Sequence, residues 1–418
     1  MKTKIILFLI TILLVINSSA QMLTLDSILK AIDNNQPELK MYDAQIRAYD
    51  TYATGAKSLD PPQVGGGFFM TPYNPMMWKS DAKNYYNGMG SFMVSAQQMF
   101  TNPKKLNANA TYMHSMSSVE KQMKNATRNE LFSMAKMNYY EWMILDKKLK
   151  MFIESESLLN YIIKSTELRY TYGMDKLNGY YKSKAMLGDI QNMKLMTELE
   201  IRQQRIGLNT IMNRSKDYIF EIDTLYTINN YENSLTDTSI ISTNRSDYKA
   251  LGQNINLLKS KQFYEQSKRS PDFGVKYDHM FAFGRQPQQF SLMAMLSIPI
   301  APWSSKMYKS TVAGLNFEIE SIKNRQEVLV NQTAGNLQNL KEQIRSKKQQ
   351  LELYEKAIIP SIKKNYQTTL LAYQQNTEEL FMVLDAWQNL KIAQIGYYDQ
   401  LKDLLLLQVA FEKQLEIK

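Results

Sequence analysis

The chain has 418 residues, of which 44% are hydrophobic and 22% charged, a composition that supports a large core and excludes an intrinsically disordered protein. Its formal net charge of +10 is dispersed along the sequence rather than gathered in one basic patch, so nucleic acid is not expected as a partner. The absence of cysteine excludes disulfides, thiolate metal sites and a lipidated cysteine, and the two histidines, His114 and His279, are too few for a multi-histidine zinc site.

The first twenty residues have the pattern of an export signal. Lys2 and Lys4 precede an uncharged apolar run, and Ser18 and Ala20 supply the small residues of a cleavage site. The apolar run is shorter than the about 20 residues that a spanning helix needs, although an uncleaved anchor is the alternative. We therefore predict a signal peptide over 1–20 and a mature chain that begins at residue 21.

The first part of the mature chain, 21–213, is predicted to contain one very long helix. From Lys104 to Tyr172 there is neither proline nor glycine, and apolar residues recur at steps of three and four. A helix over 104–171 would reach about 100 Å and would need partner helices along its length. The other predicted elements of this segment are an initial helix, strands over 62–70 and 89–100, and a returning helix over 174–213.

The remainder of the chain is predicted to repeat that plan after a linker over 214–243. The predicted elements of 244–418 are an initial helix, strands over 272–281 and 290–300, a long helix over 304–375, and a returning helix over 377–416. In the long helix, Leu337, Ile344 and Leu351 are spaced by heptads, which predicts a coiled-coil seam.

The four strand segments alternate with a period of two and have the length of tilted membrane-spanning strands. Along 290–300, for example, Phe290 and Leu292 share one face and Ser291 and Met293 share the other. The apolar face is predicted to meet lipid and the other face a lumen; the alternative is a soluble hairpin with one face on a core. The predicted lumen-facing residues are Met93, Ser95, Lys276, Asp278, Met293, Met295 and Ser297.

Four strands cannot close a barrel, and open sheet edges are not viable in lipid, so the strands must be pooled between subunits. A dimer would supply eight strands and a trimer twelve, and strand count alone allows both.

The two halves of the mature chain align with each other, which predicts an internal two-fold duplication. The aligned positions include Pro62 with Pro271, Gly65 with Gly274, Tyr170 with Tyr373, and Gly173 with Asn376. Asparagine is the usual substitute for glycine where a helix ends in a left-handed residue, so Gly173 and Asn376 are predicted to close equivalent helix hairpins.

The segments around these hairpins resemble the twice-repeated tip motif of TolC-type outer membrane factors. The matching residues are Arg169–Gly173 followed by Leu177, and Ala372–Asn376 followed by Leu380 and Leu384–Ala386. The resemblance spans nearly the whole mature chain and implies a mainly α fold with a membrane β-barrel portion. Each of three chains would contribute four β-strands to a 12-stranded trimeric barrel on a long antiparallel coiled-coil helical barrel, with 214–243 as an equatorial linker.

The resemblance also implies a function: the outer-membrane exit duct of a tripartite efflux or secretion system, passive, without catalysis and without a cofactor. The implied partners are two further copies in a homotrimer, a periplasmic adaptor protein, an inner-membrane transporter and outer-membrane lipid, and a large portion would lie in the periplasm. The alternative is a non-channel periplasmic coiled-coil scaffold or adhesin. The sequence contains none of the common nucleotide-binding, hydrolase or zinc-protease motifs.

Site residues follow from the resemblance residue by residue. Asp385 and Met382 occupy positions of the periplasmic gate, although Met382, like Gly179, stands where the family often has a carboxylate. The residues assigned to the tips, where an adaptor would dock, are Tyr170, Gly173, Met174, Asp175, Tyr373, Asn376, Glu378 and Glu379.

The chain is rich in methionine, with 26 residues of this type. Thioethers suit soft ions such as Cu(I) and Ag(I), which makes Met93, Met293 and Met295 candidate ligands and soft metal ions a candidate cargo. The alternative is that methionine acts as flexible filler in cores and helix seams. We predict that filler role for the methionine track of the first long helix, which comprises Met113, Met116, Met123, Met134 and Met137.

Overall fold

The structure, a computed structural model, describes residues 22–82, 87–234, 237–299 and 301–417. The predicted signal peptide and Ile300, the predicted end of the last strand, lie outside the described residues. The helices are α1 Leu25–Asn35, α2 Pro37–Gly55, α3 Pro103–Thr171, α4 Leu177–Ile211, α5 Thr238–Asn244, α6 Ser246–Ser267, α7 Pro302–Leu353, α8 Ile359–Gln374 and α9 Leu380–Leu415. The strands are β1 Met22–Leu23, β2 Gln63–Phe69, β3 Ser91–Phe100, β4 Glu221–Ile222, β5 Asp272–Ala282 and β6 Gln289–Ser297.

The protein is mainly helical, and its longest helix, α3, has 69 residues. Its N-terminus begins at Pro103, which is favoured at the first helical position because the missing N–H would be unpaired there. The four long strands lie over the four predicted segments, with ends that differ by at most three residues. No helix among the described residues is long and apolar enough to span a membrane.

The second long helix differs from the prediction of one continuous helix over 304–375. A π-helix at Tyr354–Ile358 separates α7 from α8, and the Ile359 N–H bonds to the Tyr354 carbonyl. Pro360 follows directly, and its missing N–H removes one regular helical hydrogen bond at this point. The facing helix makes room for the bulge at Gly396, where a Cβ would stand only 2.8 Å from Tyr354 Oη.

The described chain divides into two compact units. The first contains the residues up to Met41, Lys124–Ser246 and the residues from Leu329 onward, and the second contains Tyr42–Met123 and Asp247–Val328. Neither unit corresponds to one of the predicted repeats, because each takes segments from both halves of the chain. The order of a helix, two strands, a long helix and a returning helix occurs twice, whereas the duplication itself stays a prediction.

The core of the first unit contains the predicted heptad seam. Leu337, Ile344 and Leu351 are all buried in one cluster with residues of α9 such as Leu401 and Leu404. Burying one such side chain contributes about 1.5–3 kcal/mol, so these positions hold α7 against its neighbours. The heptad prediction is confirmed.

The described residues of the predicted linker 214–243, which are 214–234 and 237–243, belong to the same core. Its strand β4 pairs in parallel with β1, and Phe220 is fully buried against the Trp142 ring, with the ring centroids 5.1 Å apart. The segment also contains α5 and a short 3₁₀ turn at Tyr231–Asn233. It therefore packs as structure rather than serving as a bare connection.

The methionine track of α3 is not the buried face of that helix. Met123 is 41% exposed and Met134 is 45% exposed, while Leu131 and Ala135 are buried instead. The prediction that these methionines fill a helix seam is therefore wrong for Met123 and Met134 within the chain. Both tracks have helical spacing, so periodicity alone did not distinguish them.

The second unit contains the four-stranded sheet, in the order β2-β3-β5-β6 with antiparallel neighbours throughout. The central pair joins strands from the two halves of the sequence, with Ser91 opposite Ala282 and Phe100 opposite Phe273. An ion pair fixes the end of this pairing, because Lys105 Nζ at the start of α3 lies 2.6 Å from Asp272 Oδ2. The outermost strands of the described sheet are β2 and β6.

Candidate functional site

The first candidate site is one face of the sheet, which we call the polar face. The register places the seven predicted lumen-facing residues on this one face: Ser95 is opposite Asp278, Lys276 is opposite Met293, and the rows containing Met93, Met295 and Ser297 lie in the same phase. Cross-strand partners share a face because side chains alternate along each strand. The prediction named these residues from separate strands, and the pairing brings them together.

The opposite, apolar face carries aromatic and aliphatic side chains that remain exposed. Phe290 is 69% exposed, Leu292 67% and Phe68 65%. Contiguous apolar surface of this kind is rare on a soluble protein and marks a surface that meets lipid or another protein.

A buried charge lies in the middle of the polar face. The Asp278 side chain is only 4% exposed, Lys276 Nζ lies 3.1 Å from Asp278 Oδ1, and Ser291 Oγ donates to Asp278 Oδ2 at 3.0 Å. A buried carboxylate is costly unless it is paired, and here both oxygens face a cation or a donor. The carboxylate is therefore neutralised locally rather than left free to bind a solution cation.

The second candidate site is formed by the two helix hairpins of the first unit. Gly173 follows α3 with φ of 67°, and Asn376 follows α8 with φ of 58°, so the predicted left-handed positions are confirmed. In both hairpins the next N–H bonds five residues back, from Met174 to the Arg169 carbonyl and from Thr377 to the Ala372 carbonyl. This is the Schellman ending of a helix, in which glycine or asparagine takes the left-handed residue.

The hairpins are joined to each other by four side chains, which we call the tip network: Arg169, Asp175, Tyr373 and Asn376. Arg169 Nε donates to Asp175 Oδ2 at 3.0 Å, and Arg169 Nη2 donates to Asn376 Oδ1 at 2.6 Å. Tyr373 Oη donates to the same Asp175 oxygen at 2.6 Å, beneath the Arg169 guanidinium, which lies 4.7 Å from the ring centroid. Charge-assisted bonds of this kind are roughly twice as strong as neutral ones.

Burial distinguishes Asp175 and Tyr373 from the exposed tip residues, which include Asn376 of the network. The Asp175 side chain is 8% exposed and Tyr373 is buried, whereas Tyr170, Met174, Glu378 and Glu379 are exposed. Burial, with the hydrogen bond to Asp175, raises the pKa of Tyr373 to about 12. Asp175 and Tyr373 thus join the hairpins inside the tip, and the exposed residues form its surface.

Sequence reasoning did not assign Arg169 as a site residue, although it contacts the other three members of the network. Its signal is a basic residue in the last turn of α3, where a cation also interacts favourably with the helix dipole. Its partners in the other hairpin, Tyr373 and Asn376, are set by how the two hairpins pack together.

The predicted gate residues lie on the outer surface of α9. Asp385 and Met382 are exposed, and Asn389 Nδ2 donates to Asp385 Oδ2 at 3.4 Å. Gly179, in contrast, is buried, and a Cβ there would stand 3.1 Å from Leu380 Cδ2. A carboxylate at position 179 would have to displace Leu380, so this chain uses that position for close helix packing.

Among the described residues, no group of three or more histidine, aspartate or glutamate side chains is arranged to hold a metal ion. The candidate metal ligands named from the sequence, Met93, Met293 and Met295, lie on the polar face described above.

No protein-family profile and no curated protein sequence matches the chain. Solved structures do match it: the outer-membrane channel OprN has 12% identity and a TM-score of 0.73, with 94% of this chain and 90% of OprN covered. The outer membrane protein VceC of Vibrio cholerae has 14% identity and a TM-score of 0.71, covering 94% and 95%. The CmeC outer membrane channel of Campylobacter jejuni has 13% identity and a TM-score of 0.70, covering 94% and 85%. The chain therefore has the fold of outer-membrane channels, and the predicted fold resemblance is confirmed.

Proposed function

We propose that the protein is a passive exit duct in the outer membrane, the outer component of a tripartite efflux or secretion system. Three copies pool their strands into a 12-stranded barrel, and the helices extend into the periplasm as a helical barrel. The proposal assigns no catalytic residue and no cofactor to the chain.

The observation that carries this proposal is the two-faced sheet. One face exposes residues such as Phe290 and Leu292, and the other carries Ser95, Asp278 and Lys276. A soluble hairpin would pack its apolar face on a core, but these apolar side chains are more than one third exposed. An apolar face against lipid and a polar face on a water-filled pore account for both surfaces.

The outermost strands support the pooling of subunits. Strand β2 and strand β6 each have one neighbour in the described sheet, so each would leave unpaired backbone groups in lipid, at a cost of several kcal/mol per group. Pairing β6 of one copy with β2 of the next removes every open edge. The number of copies, three, is taken from the family resemblance, since eight strands would also close a barrel.

The hairpin tips are proposed to close the periplasmic end of the duct and to dock an adaptor protein, which connects it to an inner-membrane transporter. The exposed tip residues Tyr170, Met174, Glu378 and Glu379 form the docking surface. Asp385 and Met382, exposed on α9, line the narrowed bore.

The absence of cysteine permits a direct test of assembly. Val64 and Ala294 both lie on the apolar face, one in each of the outermost strands, β2 and β6. We expect the double variant Val64→Cys/Ala294→Cys to give covalent trimers with a flexible bis-maleimide, to which one thiol from each of two neighbouring copies adds, in detergent. Each single variant, the matched control, should give no covalent trimer. A stable monomer by native mass spectrometry would overturn the barrel.

Conductance separates the duct from the alternative, a non-channel coiled-coil scaffold or adhesin. Purified trimer should form ion-conducting pores in planar lipid bilayers. A trimer that inserts but never conducts would favour the scaffold.

A further inference from the structure

We infer that the polar face of the sheet carries a binding site for a soft monovalent metal ion, Cu(I) or Ag(I), made by the thioethers of Met99 and Met295 above Gly274. The inference deepens the proposed function by naming a cargo class, and it rests on that function only in taking the polar face as the pore wall.

The site is built around a glycine that both methionines need. Gly274 in β5 is opposite Met99 of β3 on one side and opposite Met295 of β6 on the other. Met99 Sδ occupies the space in which a Cβ of residue 274 would stand, and Met295 Cε lies 3.1 Å from that position. The ends of two thioether side chains, from strands on either side, thus converge over one residue that has no side chain.

A second thioether pair lies farther along the same face. Met93 is directly opposite Met280, so their Cβ atoms are about 4.5–5.5 Å apart. Met93 and Met99 are six residues apart on one strand, which at about 3.3 Å per residue separates the two pairs by roughly 20 Å. Met293 lies between these rows, opposite Lys276.

Further methionines continue this arrangement beyond the strand ends. The connection from β2 to β3 carries Met70, Met76, Met77 and Met89, of which Met70 is 80% and Met76 84% exposed. This connection leaves the sheet at the end nearest the pair Met93 and Met280, because Phe69 and Ser91 are opposite each other there. Methionine is therefore repeated from one end of the polar face to the other.

Met99 fills the space above Gly274, but these methionines lie on a polar face and not in an enclosed apolar core. Methionine serves as filler where it is enclosed by apolar neighbours. Here the neighbouring rows of the same face contain Ser95, Gln97, Lys276 and Asp278. Met293 is 43% exposed.

The nearby charges also favour a soft ion over a hard one. Asp272 is the carboxylate closest in register to Gly274, and its oxygens already accept from the Asn102 N–H at 2.9 Å and from Lys105 Nζ at 2.6 Å. The next carboxylate on this face, Asp278, has its oxygens facing Lys276 and Ser291. Both carboxylates are thus already paired with lysines, which disfavours a hard divalent ion that would need their oxygens as ligands. Thioethers select Cu(I)-like ions, for which Ag(I) is a redox-stable probe.

The test is Ag(I) binding to the purified full chain in detergent. The double variant Met99→Leu/Met295→Leu keeps side-chain volume, and we expect it to lose one tightly bound Ag(I) per chain. Gly274→Ala should weaken the same site at least tenfold, because its Cβ displaces Met99 Sδ. Met196→Leu, an exposed methionine on α4, is the matched control and should bind Ag(I) as the parent does. Equal Ag(I) binding by the double variant and the parent would overturn the site.

A measurement on the unmodified protein guards against variants that fold poorly. Ag(I) should protect Met99 and Met295 from oxidation by peroxide, read by peptide mass spectrometry, while Met196 oxidises at an unchanged rate. Equal oxidation of all three with and without Ag(I) would overturn the site. Displacement of Ag(I) by equimolar Zn(II) would overturn the preference for soft ions.

The same preparations distinguish this inference from the proposed function. A trimer that conducts ions but shows no Ag(I) difference leaves the duct intact and removes the metal site. A chain that shows the Ag(I) difference but forms no pore keeps the site and removes the duct.

Discussion

The helix end in each hairpin tip and the four-stranded sheet reach their backbone conformations through hydrogen bonds of very different range in sequence. At the tips, the hydrogen bonds that end each helix span five residues, as from Met174 to Arg169. In the sheet, the central pair of strands places Ser91 opposite Ala282, and the helices α3 to α6 all lie between these two residues in the sequence. A substitution at one of these helix ends should therefore affect only its own hairpin, whereas a substitution in the sheet should affect assembly of the barrel.

Side-chain contacts in the two regions also differ in kind. The tip network holds two hairpins together with few, strong, charge-assisted bonds around Asp175. The sheet instead repeats the same alternation along every strand, so that each of its faces has one character. The contact between the hairpins therefore depends on a few side chains, whereas each face of the sheet depends on many.

The largest expected effect is a charge on the apolar face of the sheet. Leu292 lies in the middle of β6 and is 67% exposed on the apolar face. Leu292→Arg should cost about 2–4 kcal/mol if this position meets the bilayer midplane, and outer-membrane insertion should fail. Membrane fractionation and heat-modifiable gel migration measure insertion.

Two variants near the end of the same strand sharpen this prediction. Leu296→Arg should cost less than Leu292→Arg, because the cost falls toward the membrane interface. Ser297→Arg, opposite Asp272 on the polar face, should be tolerated. Equal loss of insertion in the Leu296 and Ser297 variants would show that the face assignment is wrong.

The next effect is at the first tip and tests whether the tips act locally. Gly173→Val places a β-branched residue at φ of 67°, which costs roughly 1–3 kcal/mol. Export and adaptor binding should be lost, while trimer and barrel form as in the parent. Gly173→Asn, which copies the second tip, is the control and should restore export. Loss of the trimer in the valine variant would contradict the separation of the two regions.

A smaller effect, dependent on pH, is expected from the tip network. The pKa of Tyr373 is raised from 10.0 to about 12. The stabilisation that the protonated Tyr373 hydroxyl gives to the joined hairpins is therefore fully present below pH 10 and is lost as pH rises through about 12. Spin labels at Met174→Cys and Thr377→Cys should report separation of the tips over this range. Tyr373→Phe loses the bond to Asp175 at every pH, so its tips should separate without that alkaline step.

The smallest effect on stability is expected from a substitution at the predicted gate residues. Asp385 is exposed, so Asp385→Ala should change stability by less than about 0.5 kcal/mol. If Asp385 lines the bore, the variant should still raise conductance or relieve block by multivalent cations in planar bilayers. Met382→Leu, which removes no charge, is the matched control. Identical conductance and block in Asp385→Ala and the parent would exclude Asp385 from the gate.

Sequence alone determined the features that depend on near neighbours. Heptad spacing identified Leu337, Ile344 and Leu351 as a buried seam, since a helix repeats its faces whatever it packs against. Glycine and asparagine at 173 and 376 identified both left-handed helix ends, because few residues tolerate that backbone. The alternation within each strand likewise separated polar from apolar residues.

Only the tertiary structure decided the features that depend on which surfaces meet. Alternation gives each strand two faces but no partner, so the convergence of Met99 and Met295 over Gly274 follows from the pairing of distant strands. The contacts of Arg169 across the hairpins and the exposure of Met134 arise in the same way. Local backbone preferences act within a few residues. Strand register and side-chain burial are set when distant segments pack together and exclude water, so they depend on more than one segment of the chain.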